Sequence, residues 1–231
     1  MGYISKRSII RGIASESAVI LGCSEIGEET FLDEFVCIGY PRRNKLLESS
    51  RRLRDLDELS SGARIGRRCI IRSHTVIYED VEIGDHVETG HHALIREGSR
   101  IGSDSRIGSY AKLDGGVEVG SRVSIQSGAY LPHLTIVEDE VFIGPGVIVT
   151  NDPYPVSKRL LGVRIARGAI IGAGAVLLAG VEIGKRAVVG AGAIVTRSIP
   201  AGMVAYGCPA RIMMTRDEYD EKRRLHEEAG D

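Results

Sequence analysis

His133 and Asn151 stand eighteen residues apart, and Asp152 follows directly. An imidazole titrates near neutral pH and can take the proton from an amine as that amine attacks a carbonyl. An amide and a carboxylate beside it can hold the attacking group. Fixed hydrogen-bond donors would then have to meet the oxyanion that forms. Residues eighteen apart meet only if the chain returns to the same place with that period. The elements around these residues therefore decide whether a site exists.

The chain does repeat, every six residues. From Ile65 the steps meet Ile71, Ile77, Ile83, Thr89, Ile95, Ile101, Ile107, Leu113, Val119, Ile125, Leu131, Val137, Ile143 and Val149. Only Thr89 is not aliphatic, and the frame never slips. Four residues after each comes a small or β-branched one, from Cys69 and Thr75 to Val141 and Val147. A second run goes from Ile165 to Val195, and a short one from Ile26 to Ile38. Six fits neither the helical period nor one long strand. It fits short strands joined by turns and coiled around a narrow axis, with the aliphatic residue filling the axis. No coil could bury its apolar face alone, so the coils must stack, about 4.8 Å apart. If three hexads make a coil, one turn column reads Glu79, Glu97, Gly115, His133, Asn151. His133 and Asn151 are then one rung apart on one edge.

Two segments break the frame. Residues 40–64 are highly charged and read as a protruding loop with room for a short helix. Their arginines Arg42, Arg43, Arg51, Arg52 and Arg54 could meet phosphate groups. Residues 151–164, NDPYPVSKRLLGVR, contain Pro153 and Pro155, which oppose strand pairing. A long loop on a rigid scaffold is a natural place for a site. The expected organisation is one repeat domain over 1–214, then a helical tail over 215–231 that covers the open end.

The 231 residues are 43% hydrophobic with a net charge of -1, which gives no reason to expect nucleic acid or a membrane as partner. The start, MGYISKRSII, lacks the apolar stretch of a secretory signal. Cys23, Cys37, Cys69 and Cys208 are scattered without a CxxC pair and read as reduced thiols of a cytoplasmic protein.

The repeat resembles that of the hexapeptide-repeat acyltransferases, over roughly residues 13–211. The resemblance implies an all-β, left-handed parallel β-helix of hexapeptide repeats, triangular in section, with a C-terminal α-helix. It also implies acetyl-CoA as cosubstrate, no metal, and a homotrimer with sites between neighbours. VEDEVFIGPGVIVTNDPYP and TGHHALIREGSRIG are similar to segments of the sugar-nucleotide N-acetyltransferases. Those enzymes acetylate the amine of a UDP- or dTDP-linked amino sugar. By that resemblance Asn151 and Asp152 lie at the sugar, and His91, Arg96 and Glu97 near the sugar nucleotide. Many members carry a histidine where this chain has Pro145. That departure leaves His133 as the base, or a mechanism that only positions a neutral amine.

On the CoA side, IIGAGAVLLAG and VVGAGAIVTRSIPAG offer a small-residue wall at Gly172, Ala173, Gly190 and Ala191. Amides around Gly144 or Gly146 are candidate oxyanion donors. GCPARI resembles the segment that ends the helix near the CoA nucleotide, and Lys185, Arg186 or Arg211 could meet its phosphates. The fold itself demands small residues at turns, so the wall also has a purely structural explanation. Three other readings stay open. One is O-acetylation of a sugar or another small hydroxyl. Another is a γ-carbonic-anhydrase-like metal hydratase using His86 and His91, whose third ligand position holds Ser50. The last is a non-enzymatic β-helix subunit.

Overall fold

The computed structural model describes residues 2–47 and 53–229, and in them the six-residue rhythm becomes three parallel sheets. In the first, Ile77 pairs with Ile95 and Leu113 with Leu131. In the second, Ile83 pairs with Ile101, and in the third Ile107 pairs with Ile125. Partners eighteen apart make the coil three hexads long. About 11 coils stack into a left-handed solenoid, against the right-handed habit of parallel crossovers. The aliphatic column is the core: Ile77, Ile95, Leu113 and Leu131 are fully buried, and so are companions such as Thr75, Ala93 and Ala111.

Thr89 shows how the exception is tolerated. It is fully buried, but its hydroxyl accepts from the Arg72 amide at 3.0 Å and lies 3.3 Å from Thr75 Oγ1. A buried hydroxyl without partners would cost roughly 1–3 kcal/mol.

Three edges separate the sheets. Edge I joins the first sheet to the second, edge II the second to the third, and edge III the third to the first. Both insertions leave edge I. Residues 41–63 lie between the strands Cys37–Tyr40 and Arg64–Ile65, and residues 150–163 between Ile148–Val149 and Arg164–Ile165. The first carries two helices, α1 (Arg43–Leu47) and α2 (Leu53–Leu59). The buried Glu79 ties this insertion to the coils. Its carboxylate accepts from the Arg42 amide and Nε, both at 3.0 Å, from Lys45 Nζ at 2.7 Å, and from the Ser61 amide and hydroxyl at 2.9 Å. Burial alone would raise the Glu79 pKa, yet these donors outweigh it and hold the carboxyl at about 2.

At the C-terminus, Met203–Tyr206 extends the third sheet and Arg211–Thr215 adds a last, antiparallel strand. Helix α3 (Arg216–Glu228) follows, capped by Thr215 and Glu218. None of its residues is buried, and the edge of the third sheet is paired by the antiparallel strand before it. The run RDEYDEKRRLHEE has too few apolar side chains to seal an end. Among the described residues no helix is long and apolar enough to cross a membrane.

Candidate active site

His133 and Asn151 occupy successive rungs of edge I. His133 Nδ1 lies 3.0 Å from the Gly115 carbonyl oxygen. A carbonyl can only accept, so Nδ1 carries the proton and Nε2 keeps its lone pair in the neutral ring. The ring is exposed, and among the described residues nothing meets Nε2. Asn151 Nδ2 donates to the His133 carbonyl at 3.0 Å, which leaves Oδ1 without a donor among the described residues. The insertion closes on the same residue, where the Leu161 amide donates to the Asn151 carbonyl at 2.7 Å.

Asp152 has a different place. Its oxygens accept from the Ser157 amide at 2.9 Å and the Tyr154 amide at 3.0 Å, an arrangement that shapes the insertion. The Ser157 amide is the main reason its carboxyl sits below the usual range. Tyr154 itself stands out in solvent, 82% exposed.

Arg96 and Glu97 lie on the same side of the coil, two rungs before His133. Arg96 grips Glu97 through Nε and Nη2 at 3.1 and 2.8 Å and reaches Asp114 through Nη1 at 2.6 Å. Tyr130 donates to the other Asp114 oxygen at 3.1 Å. Burial pushes the Tyr130 phenol up, and the Asp114 charge adds to that. Arg96 is thus balanced by two carboxylates. His91 is elsewhere, on edge III, with Nδ1 2.7 Å from Ser73 Oγ.

The small-residue wall is also on edge III. A Cβ at Gly144 would come 2.7 Å from the Ala173 amide nitrogen, one at Gly172 2.4 Å from that of Ala191, and one at Gly190 2.6 Å from Tyr206 Cβ. Close stacking of the coils requires these glycines whatever binds there. Ala173 and Ala191 face solvent. The Gly144 and Gly146 amides donate to Ile171 and Ser127 carbonyls at 2.8 and 2.9 Å and are not free donors. Lys185 is exposed on edge II, and Arg211 is exposed on the last strand. Arg186 turns toward α3, reaching Asp217 and Asp220 at 3.4 and 3.3 Å. Arg42 is held by Glu79 and Asp80, while Arg43 and Arg54 ride on α1 and α2. Arg51, Arg52 and Ser50 lie outside the described residues.

Residues 62–97, 98–133 and 162–197 match the family model described as bacterial transferase hexapeptide (six repeats). The chain is a hexapeptide-repeat protein. It is 31% identical over 113 residues to a 2,3,4,5-tetrahydropyridine-2,6-dicarboxylate N-acetyltransferase of Staphylococcus aureus, a match spanning 46% of this chain and 36% of the relative. Among solved structures, the UDP-N-acetylglucosamine acyltransferase of Campylobacter jejuni superposes with a TM-score of 0.65 at 16% identity, over 93% of this chain and 81% of that one. The Arabidopsis UDP-N-acetylglucosamine acyltransferase gives 0.57 at 15% identity, over 92% and 75%. At such identities these two structures speak for the fold.

This hexapeptide-repeat chain also holds features that the sequence reading passed over. On edge III, Phe35, His74, His92 and Tyr110 form a stack of rings with centroids 5.0, 4.6 and 4.9 Å apart. The same turn position then holds Gly128, Gly146, Gly174 and Gly192. The eighteen-residue phase of His74, His92 and Tyr110 was the available signal. His86 and His91 sit on different edges, and the described residues contain no group of three or more His, Cys, Asp or Glu placed to hold a metal. All four cysteines are free, and burial pushes the Cys37 thiol up to about 12.

Proposed function

We propose that the chain is an acyltransferase that moves the acetyl group of acetyl-CoA to the amino group of a nucleotide-linked amino sugar. The observation that carries this reading is the exposed His133 ring, pinned through Nδ1 with its Nε2 lone pair outward, one rung from the unpaired Asn151 Oδ1. The staphylococcal relative, named as an N-acetyltransferase, supports an amine as acceptor.

In this reading Asn151 Oδ1 accepts from the acceptor amine and aims its lone pair at the thioester carbonyl. As the C–N bond forms, His133 Nε2 takes the amine proton and the carbonyl oxygen becomes an oxyanion. Collapse of that intermediate breaks the C–S bond, and the imidazolium returns the proton to the departing thiolate. The products are the amide and free CoA. Asp152 keeps the insertion in shape, and the Arg96–Glu97–Asp114 cluster borders the acceptor.

The pantetheine arm lies along edge III, beside Gly172, Ala173, Gly190 and Ala191, with Lys185 and Arg211 toward the phosphates. Edges I and III belong to different corners of one coil, so a complete site takes edge I from one chain and edge III from its neighbour in a homotrimer. The reaction belongs in the cytoplasm, where acetyl-CoA is made and the free thiols stay reduced.

The test is a screen of UDP- and dTDP-linked amino sugars with acetyl-CoA, following release of free thiol. Acylation of at least one amine is expected. Thiol release only with hydroxyl acceptors would move the assignment to O-acetylation, and failure to bind acetyl-CoA at millimolar concentration would remove it.

A further inference from the structure

Left-handed backbone is no reason for glycine in this protein. Among the described residues thirteen non-glycine residues have positive φ, one after another along the edges. On edge I the turn position eighteen residues to either side shows the same tolerance. It holds Asp80 at φ 58, Gly98 at 71, Gly116 at 56 and Leu134 at 72. A side chain is therefore permitted by the backbone at this position, and Gly116 needs another explanation.

The explanation is His133. A Cβ built on Gly116 would lie 2.8 Å from His133 Nδ1 and 2.9 Å from Cε1, well inside contact distance. At Gly98, one rung earlier, the nearest atom to such a Cβ is 3.9 Å away. The imidazole thus lies in a slot whose floor is the missing side chain of Gly116, and there Nδ1 reaches the Gly115 carbonyl.

We propose that Gly116 is a positioning residue: its bare Cα lets the His133 ring lie against the previous rung, which fixes the proton on Nδ1 and the lone pair on Nε2. The inference deepens, and rests on, the reading of His133 as the base. With a methyl at 116 the ring must swing out, and Nδ1–H loses its acceptor. The proton can then sit on either nitrogen, so the competent tautomer becomes a fraction of the population.

The test uses the full chain with 15N-labelled histidine, in Gly116→Ala and Gly98→Ala. Long-range 1H–15N correlation reads the His133 tautomer, assigned by its loss in His133→Ala. Turnover is measured with acetyl-CoA and the UDP- or dTDP-amino sugar that gives the most thiol release. The wild type and Gly98→Ala should both show the Nδ1–H form, with similar turnover. Gly116→Ala should lose that form and drop kcat by roughly tenfold or more, with KM little changed. An Nε2–H tautomer in the wild type overturns the proposal without any variant, so it stays testable even if Gly116→Ala fails to fold. So does a Gly116→Ala protein that keeps both tautomer and kcat, or equal losses in the two alanine variants. A shifted tautomer with unchanged kcat supports the slot and instead removes His133 as the base.

Discussion

Edges I and II are built from the same hexads and the same turn, yet they treat polar atoms in opposite ways. Along edge II several exposed charges at the turn are answered by a neighbour. Glu29 meets Arg68 at 3.1 Å, His86 lies 3.3 Å from Asp104, and Glu140 accepts from Arg122 at 2.7 Å and Arg167 at 2.8 Å. Among the described residues edge I buries a fully satisfied carboxylate, Glu79, and at the coil turn leaves His133 Nε2 and Asn151 Oδ1 unanswered. A rigid repeat makes that contrast meaningful. A side chain that could easily have been paired, and is not, is available to something that comes and goes.

The sharpest way to break the contrast is His133→Ala. Turnover should fall by about 10²-fold or more while the protein stays folded. A smaller loss, with the pH–rate profile unchanged, would mean that edge I only positions a neutral amine.

Next is Glu79→Gln, which tests whether edge I is organised from below. A glutamine offers one acceptor oxygen where five donors converge, and its own NH2 would face either Arg42 or Lys45 and Ser61. Stability should fall by on the order of 2 kcal/mol in denaturant titrations at neutral pH. The folded carboxyl titrates at about 2 instead of 4.5, so its contribution is complete above the ordinary carboxylate range and is lost as pH falls toward 2. Glu79→Gln should therefore flatten the acid limb of the stability curve over that window.

The smallest effect is expected on edge II. Glu140 is exposed, and hydrogen bonds from Arg167 and then Arg122 hold its carboxyl at about 2. Solvent screens such pairs. Glu140→Gln should leave both turnover and the calorimetric melting temperature where they were. A marked loss of turnover would show that the two edges are not functionally distinct.

Much of this was legible because the period is rigid. Counting in eighteens put Asn151 one rung from His133, and the structure joins them through the His133 carbonyl. The same count separates His91, which lies two coils and one hexad before His133 and so falls on another edge. Its expected place near the sugar nucleotide came from resemblance and not from phase. What counting could not supply is local. The amides of Tyr154 and Ser157 turn back onto Asp152 because of loop torsions that follow no period. The proton on His133 Nδ1 follows from one carbonyl that no motif encodes. Helix α3 could be read as a helix from its composition, but its position depended on the unforeseen antiparallel strand before it.

That strand has a further consequence. A stack of parallel rungs has the same polarity at both ends, so one molecule could in principle seat its first rung on another's last and grow into a filament. Arg211–Thr215 runs against the direction of the third sheet. A molecule arriving end-on would therefore find one of the three ladders reversed, and could not continue the spiral without tearing that strand away.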